Sequence, residues 1–323
     1  MISIGGLLRP FLDLIPTDIM GSLRPIALAA LKRGPLPAHA AFIMDGNRRF
    51  AREHDMTINE GHHAGFNALK RLLDVLLHLG VPTLTVYCFS IDNFNRSKDE
   101  VDNLMELARV RFAEICEQGE ILERHQVRLR FIGRTELLPQ ALQKTILELE
   151  ERTSRHGGGT LNVCMPYTSR DDMTRAVQNV MTSCLSGELS PSSITPQHIT
   201  RSLLTGPSPP VDILIRTSGV HRLSDFLLWE CNERTTLHFV PRNWPAFGLI
   251  DVLPILITWQ TEEWARRLWG SRWEVKGKAE QWSKNGDDEA GWDEGERSDD
   301  GDDERGPMVV TMSLDNDGRL KVE

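Results

Sequence analysis

The chain has 323 residues, 40% of them hydrophobic and 26% charged, which suits one large α/β domain or two small ones. Its formal net charge is −9, but residues 286–305 carry eleven acids against two arginines. The rest is therefore close to neutral, which excludes a uniformly acidic field; the absence of a basic and aromatic stripe excludes a nucleic-acid binder. Five scattered cysteines without a CxxC pair point to reduced, mostly buried thiols in a cytosol-facing protein, and away from a zinc site. No run approaches the roughly 18 apolar residues of a transmembrane helix. The start of the chain lacks the basic region of a signal peptide, and Pro10 and Pro16 interrupt its apolar run.

Residues 1–34 read as an apolar arm of short helices divided by Pro10, Pro16 and Pro25. The arm suits packing on the domain or a partner about as well as contact with a membrane surface. A first strand is expected at 39–44; Gly61-His-His-Ala-Gly65 then leads into a helix to about His78, with an apolar stripe of Phe66, Leu69, Leu72, Leu73, Leu76 and Leu77. A second strand, 83–89, precedes a helix from near Ser97 to Gln118, with Glu100 completing a capping box. Strands at 127–132, 161–165, 211–215 and 236–240 follow, with helices near 139–155, 171–184 and 248–269 and a short one ending near Leu204. Alternation of strand and helix implies right-handed crossovers and a mainly parallel sheet of about six strands in a single α/β domain over 35–272. Residues 273–323 form an acidic tail, mostly disordered in expectation, with one apolar run at 308–312 that suits a stray strand or a docking peptide.

Ligands of parallel sheets bind beyond the carboxyl ends of the strands, and the polar clusters fall there. They are Asp45-Gly-Asn-Arg-Arg49, Ser90-Ile-Asp-Asn-Phe-Asn-Arg96, Tyr167-Thr-Ser-Arg170 and Arg216-Thr-Ser-Gly219 with Arg222-Leu-Ser-Asp225. A glycine at a helix start beside forked guanidinium groups suits phosphate, and the arginines suffice for two polyphosphates. Arg216 ends a buried run and needs a partner. Asn93 is balanced between function and capping a turn, His62 leans towards phosphate, and Arg170 with Asp171 reads better as a solvated helix start. The tryptophans are expected in packing. No GxxxxGK[ST] or GxGxxG follows a strand, and the letters DDxxD at Asp299, Asp300 and Asp303 sit in the acidic tail with no apolar helix around them.

The segments IMDGNRRFA, EGHHAGF, YCFSIDNFNRSKDEVDNLM and ILIRTSGVHRLSDFLLWE occur in the order seen in cis-prenyltransferases. From about 37 to 270 the chain resembles that family, and its eukaryotic dehydrodolichyl diphosphate synthase branch more than the bacterial undecaprenyl one. The resemblance implies successive addition of isopentenyl diphosphate to farnesyl diphosphate, giving long polyprenyl diphosphate for dolichol and protein glycosylation. It implies Mg²⁺ as cofactor, with Asp45 as its ligand. Gly46, Asn47, Arg48, Arg49 and His62 would hold the allylic diphosphate, and Arg216, Arg222 and Ser224 the isopentenyl diphosphate. Ser90, Asn93 and Arg96 would lie between them, Asn93 assisting ionisation or proton transfer. The product would run in an apolar tunnel between helices 65–78 and 98–118.

Departures from the family pattern are Phe50, Ile58 and Val220, together with Thr235 or Thr236 where bacterial members have a metal-binding Glu. The last residues, Asp317 to Glu323, lack the Arg-x-Gly of homodimeric members. The resemblance therefore implies a heterodimer with a non-catalytic subunit of the Nogo-B receptor type that supplies it, at the cytosolic face of the endoplasmic reticulum. A non-catalytic scaffold, or a phosphohydrolase with Asp45 as nucleophile, are the rival readings.

Overall fold

A computed structural model describes residues 25–118, 120–269, 312–314 and 320–322. Six strands build the central sheet: β1 (His39–Ile43), β2 (Thr83–Tyr87), β3 (Val127–Ile132), β4 (Gly159–Cys164), β5 (Ile213–Arg216) and β6 (Thr236–Phe239). Their spatial order is β3-β4-β2-β1-β5-β6, and every pairing is parallel. The expected parallel α/β sheet is therefore present. β1 is buried at all five positions, as a central strand covered on both faces must be.

The helices are α1 (residues 25–31), α2 (Asn47–Glu53), α3 (Ile58–Leu79), α4 (Lys98–Gln118), α5 (Glu120–His125), α6 (Gln140–Thr153), α7 (Ser169–Leu185), α8 (Pro196–Ser202) and α9 (Leu249–Trp269). Ala40, Phe42, Leu84 and Val86 share one core with residues of α3, α4, α6 and α9, including Leu76, Met105, Leu142 and Leu256. Ala41, Ile43 and Leu214 face the other way, onto Tyr167, Phe226 and Leu227. This is the two-residue alternation of a strand.

A polar thread crosses the sheet inside this apolar setting. Asn162 Nδ2 donates to Thr85 Oγ1 at 2.9 Å, and Thr85 Oγ1 lies 2.6 Å from His39 Nε2. His39 Nδ1 lies 2.8 Å from the Pro209 carbonyl. A carbonyl only accepts, so Nδ1 carries the ring proton and Nε2 accepts from the Thr85 hydroxyl. Burial pushes His39 down to about 4, so the ring is neutral and the thread ties β4, β2 and β1 in register.

Two helix starts differ from expectation. The segment 47–79 is two helices, because Thr57 begins a new one: the Glu60 N–H donates to Thr57 Oγ1 and the Thr57 N–H donates to Glu60 Oε2 at 2.7 Å. This capping box places the helix start well ahead of the expected one near Gly65. Of the N-terminal arm, residues 1–24 lie outside the described residues. α1 packs inward: Leu28 and Leu31 join the core and Gln260 Nε2 donates to the Leu31 carbonyl.

The thiols are less buried than expected. Cys164 is buried, Cys88 is exposed and Cys184 and Cys231 are intermediate, while the Cys116 side chain lies outside the described residues. The tail forms a separate unit. In it, Met312–Leu314 pairs antiparallel with Leu320–Val322, a hairpin where mostly disorder was expected. Residues 299–303 lie outside the described set.

Candidate functional site

β1 and β5 end side by side, with Ile43 paired to Arg216. Asp45 leaves β1 and is pinned by Thr217: its N–H donates to Thr217 Oγ1 at 3.0 Å, and the Thr217 hydroxyl donates to its carbonyl at 2.7 Å. The carboxylate therefore projects over the strand ends from a fixed backbone. Its Oδ2 accepts from Arg216 at 2.8 Å. The Arg216 side chain is 4% exposed and that of Asp45 is 36% exposed. Arg216 also donates to the Arg222 carbonyl at 2.5 Å and to Ser224 Oγ at 2.7 Å, and Arg222 Nε reaches the same hydroxyl at 3.2 Å. The predicted residues Asp45, Arg216, Arg222 and Ser224 thus form one connected cluster.

Gly46 follows with φ 104°, in the left-handed region, and is the cap of α2. A Cβ there would lie 2.5 Å from Asn243 Oδ1 and 3.0 Å from Ser218 Cβ. Gly46→Ala is therefore expected to cost roughly 2–3 kcal/mol, from the left-handed backbone and the overlap together. Thermal unfolding reads it, and an unchanged Tm would refute the assignment of strain to this turn. Arg49 donates to the Ser218 carbonyl at 2.7 Å, tying α2 to the loop after β5. Arg48 and Arg96 converge on Glu100 at 3.5 and 2.9 Å.

Between these groups lies His62, which burial and the nearby Arg96 and Arg48 push below the ordinary histidine range, against a smaller opposing pull from Glu100. Its ring is accordingly neutral near pH 7. Ser90 caps the short turn Ile91–Asn95, and Asn93 Oδ1 accepts from the Ser90 N–H at 3.1 Å. With its oxygen fixed in the cap, Asn93 can offer the site an amide donor and no base.

All twelve predicted site residues line one cavity of about 870 Å³. Five buried polar atoms near it have no partner: His62 Nε2, Arg216 Nε, Ser218 Oγ, Asn47 Oδ1 and Arg111 Nε. Orphans of this kind are costly and mark a place where a ligand completes the bonding. The same cavity is lined as well by Phe66 and Leu69 of α3 and by Leu104, Leu107, Ala108 and Phe112 of α4. One end suits an anion and the other a hydrocarbon.

The structure adds lining residues to which the sequence reading gave no individual role, among them Arg52 and Cys88, and Asp92 and Asp225 from the rim clusters. Arg170, read as a solvated helix start, also lines the cavity, and its Nε donates to Asp225 Oδ2 at 2.8 Å. Asp171 instead pairs with Arg134 at 3.1 Å. Trp244 is buried, donates from Nε1 to the Gly65 carbonyl at 2.8 Å and from its backbone N–H to the Asp45 carbonyl at 3.0 Å. It is thus part of the site's floor as well as of the packing. Ser224, Asp225 and Leu227 have positive φ, a strained loop beside the ligand groups.

The fit of a divalent cation can be tested on Asp45. Mg²⁺ is held by one or two carboxylates together with substrate phosphates and water. Asp45 engages Arg216 through Oδ2 and is partly exposed, so one carboxylate oxygen faces the cavity. That fits a cation shared with a phosphate. Among the described residues no group of three or more His, Cys, Asp or Glu gathers as a metal cage. Thr235 and Thr236 bring no ligand: they stand at the amino-terminal end of β6, whose Thr236 pairs with Ile213, whereas Asp45 lies beyond the carboxyl ends.

Comparison with known proteins gives concordant results. The undecaprenyl diphosphate synthase family model (Prenyltransf) matches residues 43–267. A dehydrodolichyl diphosphate synthase complex subunit of Schizosaccharomyces pombe is 42% identical over 243 residues, 75% of this chain and 92% of that protein. The human subunit DHDDS is 44% identical over 230 residues, 71% of this chain and 69% of its own. The isoprenyl transferase of Thermus thermophilus is 40% identical over 240 residues, 73% and 90% of the two chains. Among solved structures, lavandulyl diphosphate synthase from Lavandula x intermedia, in complex with dimethylallyl diphosphate, superposes with a TM-score of 0.66 at 32% identity, over 70% of this chain and 95% of that one.

Proposed function

From the premise that this chain belongs to the undecaprenyl diphosphate synthase family of cis-prenyltransferases, we propose how its site carries the reaction. The chain is a prenyl transferase, a cis-polyprenyl diphosphate synthase whose polyprenyl diphosphate serves dolichol synthesis. The finer assignments are our reading. Farnesyl diphosphate is the primer, seated with its diphosphate against Gly46, Asn47, Arg48, Arg49 and His62. Isopentenyl diphosphate lies against Arg216, Arg222 and Ser224, and Ser90, Asn93 and Arg96 stand between the two.

The observation that carries this reading is the pair of orphaned donors in one polar mouth, His62 Nε2 and Arg216 Nε, above an apolar extension. A neutral His62 with its proton on Nε2 donates to a phosphate oxygen. The arginines neutralise the charge that develops on the departing diphosphate, fixed in place before the reaction so that no reorganisation is needed. Arg216 holds Ser224 and the Arg222 carbonyl, which orients the second diphosphate beside the first. The isopentenyl double bond then attacks the allylic carbon as the C–O bond to diphosphate breaks, and the proton lost in forming the new double bond passes to the released diphosphate. Asp45 would hold Mg²⁺, which would supply Lewis-acid stabilisation of the leaving group. The apolar extension between α3 and α4 takes the hydrocarbon and excludes water from the reacting carbon.

The Schizosaccharomyces pombe and human relatives are described as complex subunits, which supports a partnered enzyme; we read the partner as a non-catalytic subunit of the Nogo-B receptor type supplying Arg-x-Gly. The same description also supports work at the endoplasmic reticulum, on its cytosolic face. No helix among the described residues is long and apolar enough to cross a membrane, and peripheral attachment agrees with that.

The test is elongation of farnesyl diphosphate with labelled isopentenyl diphosphate, with and without the second subunit. Long products are expected, and more of them with the partner. Absence of chain growth in both conditions would sink the reading, and release of phosphate without elongation would favour a phosphohydrolase.

A further inference from the structure

Arg111 stands apart from the phosphate-facing arginines. It lies eleven residues beyond Glu100 on α4, roughly 16 Å along the helix axis from the ion pairs that Glu100 makes with Arg48 and Arg96. The cavity wall around it is apolar, made by Phe66, Leu107, Ala108 and Phe112. The Arg111 side chain is only 17% exposed. One terminal nitrogen donates to Glu114 Oε2 at 2.5 Å, and the other donates to His63 Nδ1. A guanidinium has no acceptor to offer, so His63 is neutral with its proton on Nε2. The guanidinium carbon lies 5.3 Å from the centre of the Phe66 ring, within cation–π range. Its Nε is buried without any partner.

We propose that Arg111 is a specificity-determining residue, a cationic stop that limits the length of prenyl chain the cavity admits. The proposal rests on the prenyl-transfer reading above. A hydrocarbon has no acceptor for the Nε proton and cannot replace Glu114, His63 or the Phe66 face. A chain growing past this level has to move a charge off three partners in a low-dielectric passage, a cost that rises with each partner the guanidinium gives up. Phe66 and His63 belong to α3 and Arg111 to α4, so the cluster also bridges the two helices that a longer chain must part. An anion site is disfavoured, because Glu114 already occupies the guanidinium and repels a second negative group.

The test uses the full chain with its second subunit, farnesyl diphosphate and labelled isopentenyl diphosphate, and resolves products by length. Arg111→Leu removes the charge and keeps an apolar side chain in its place. It is expected to move the product distribution to longer chains while the rate of the first condensation stays within about threefold of wild type. Arg111→Lys is expected to keep the wild-type length, and His63→Ala, which frees one anchor, to lengthen products by a smaller step. A merely structural role would lower Tm and all rates and leave the length distribution unmoved. Should Arg111→Leu not fold, His63→Ala decides. Unchanged product length in the folded variant overturns the stop. A wild-type protein that adds no isopentenyl unit overturns the parent reading instead, so the two failures are distinct.

Discussion

Asp45→Ala is expected to abolish elongation, lowering turnover by roughly three orders of magnitude or more, the scale set by removing a principal electrostatic element of a transition state. The carboxylate is held by its backbone as well as by its charge: Thr217 fixes the Asp45 N–H and carbonyl, and Trp244 donates to the same carbonyl. Those contacts survive truncation of the side chain, so the strand end keeps its shape. Arg216 loses one acceptor and retains Ser224 Oγ and the Arg222 carbonyl. With Asp45 about one-third exposed, the lost pair is expected to cost about 1–2 kcal/mol of stability, less than for a fully buried pair. The expected result is a folded, inactive protein whose affinity for farnesyl diphosphate no longer responds to added Mg²⁺. Isothermal titration of the primer with and without the metal, beside single-turnover elongation, separates the roles. Near-normal product from Asp45→Ala would refute a metal-holding carboxylate here. Asp45→Asn would keep a neutral oxygen in place, and wild-type activity in that variant would show that charge is not what the position supplies.

The sheet was legible because its strands are short apolar runs bounded by polar clusters, and a central parallel strand leaves little room for anything else. β1, β2 and β3 lie within two residues of the expected ends. Helix starts were less legible. The sequence from Asn47 to Gly65 mixes arginines, histidines and glycines, so periodicity alone does not divide it. The Thr57-x-x-Glu60 capping box carries the signal.

The site was legible as a rim because four strand ends each carry a polar cluster, and topology brings such ends together. What spacing could not give is pairing between distant residues. Trp244 under Gly65 and Asn243 beside Gly46 join positions nearly two hundred residues apart. Arg170 gave a local signal of a helix start, and only the fold sets it against Asp225. Arg111 carries no local signal in the sequence, since nothing there tells which face of its helix meets the cavity.

Arg216→Lys is the second large effect, and it tests geometry in place of charge. The native guanidinium makes three bonds in fixed directions, to Asp45, Ser224 and the Arg222 carbonyl, and leaves its buried Nε without a partner. A lysine at this buried position carries the same charge on one nitrogen and cannot reach all of these partners at once. The strained loop with Ser224, Asp225 and Leu227 at positive φ would lose its main tether to β5. Loss of two or three hydrogen bonds to a charged group is expected to destabilise the fold by roughly 2–4 kcal/mol. On activity, the loss should appear chiefly in the isopentenyl half of the reaction. The KM for isopentenyl diphosphate is expected to rise and kcat/KM to fall by about two to three orders of magnitude, while the affinity for farnesyl diphosphate changes little. Arg222→Lys provides the contrast. That side chain is exposed and its Nε makes one bond, to Ser224, so its loss should fall within about tenfold. Steady-state kinetics with isopentenyl diphosphate varied, together with urea unfolding of each variant, reads both. Equal effects of the two substitutions would mean that charge alone serves this half of the site. A farnesyl diphosphate affinity lost in Arg216→Lys, with the KM for isopentenyl diphosphate unmoved, would place Arg216 in the allylic half instead.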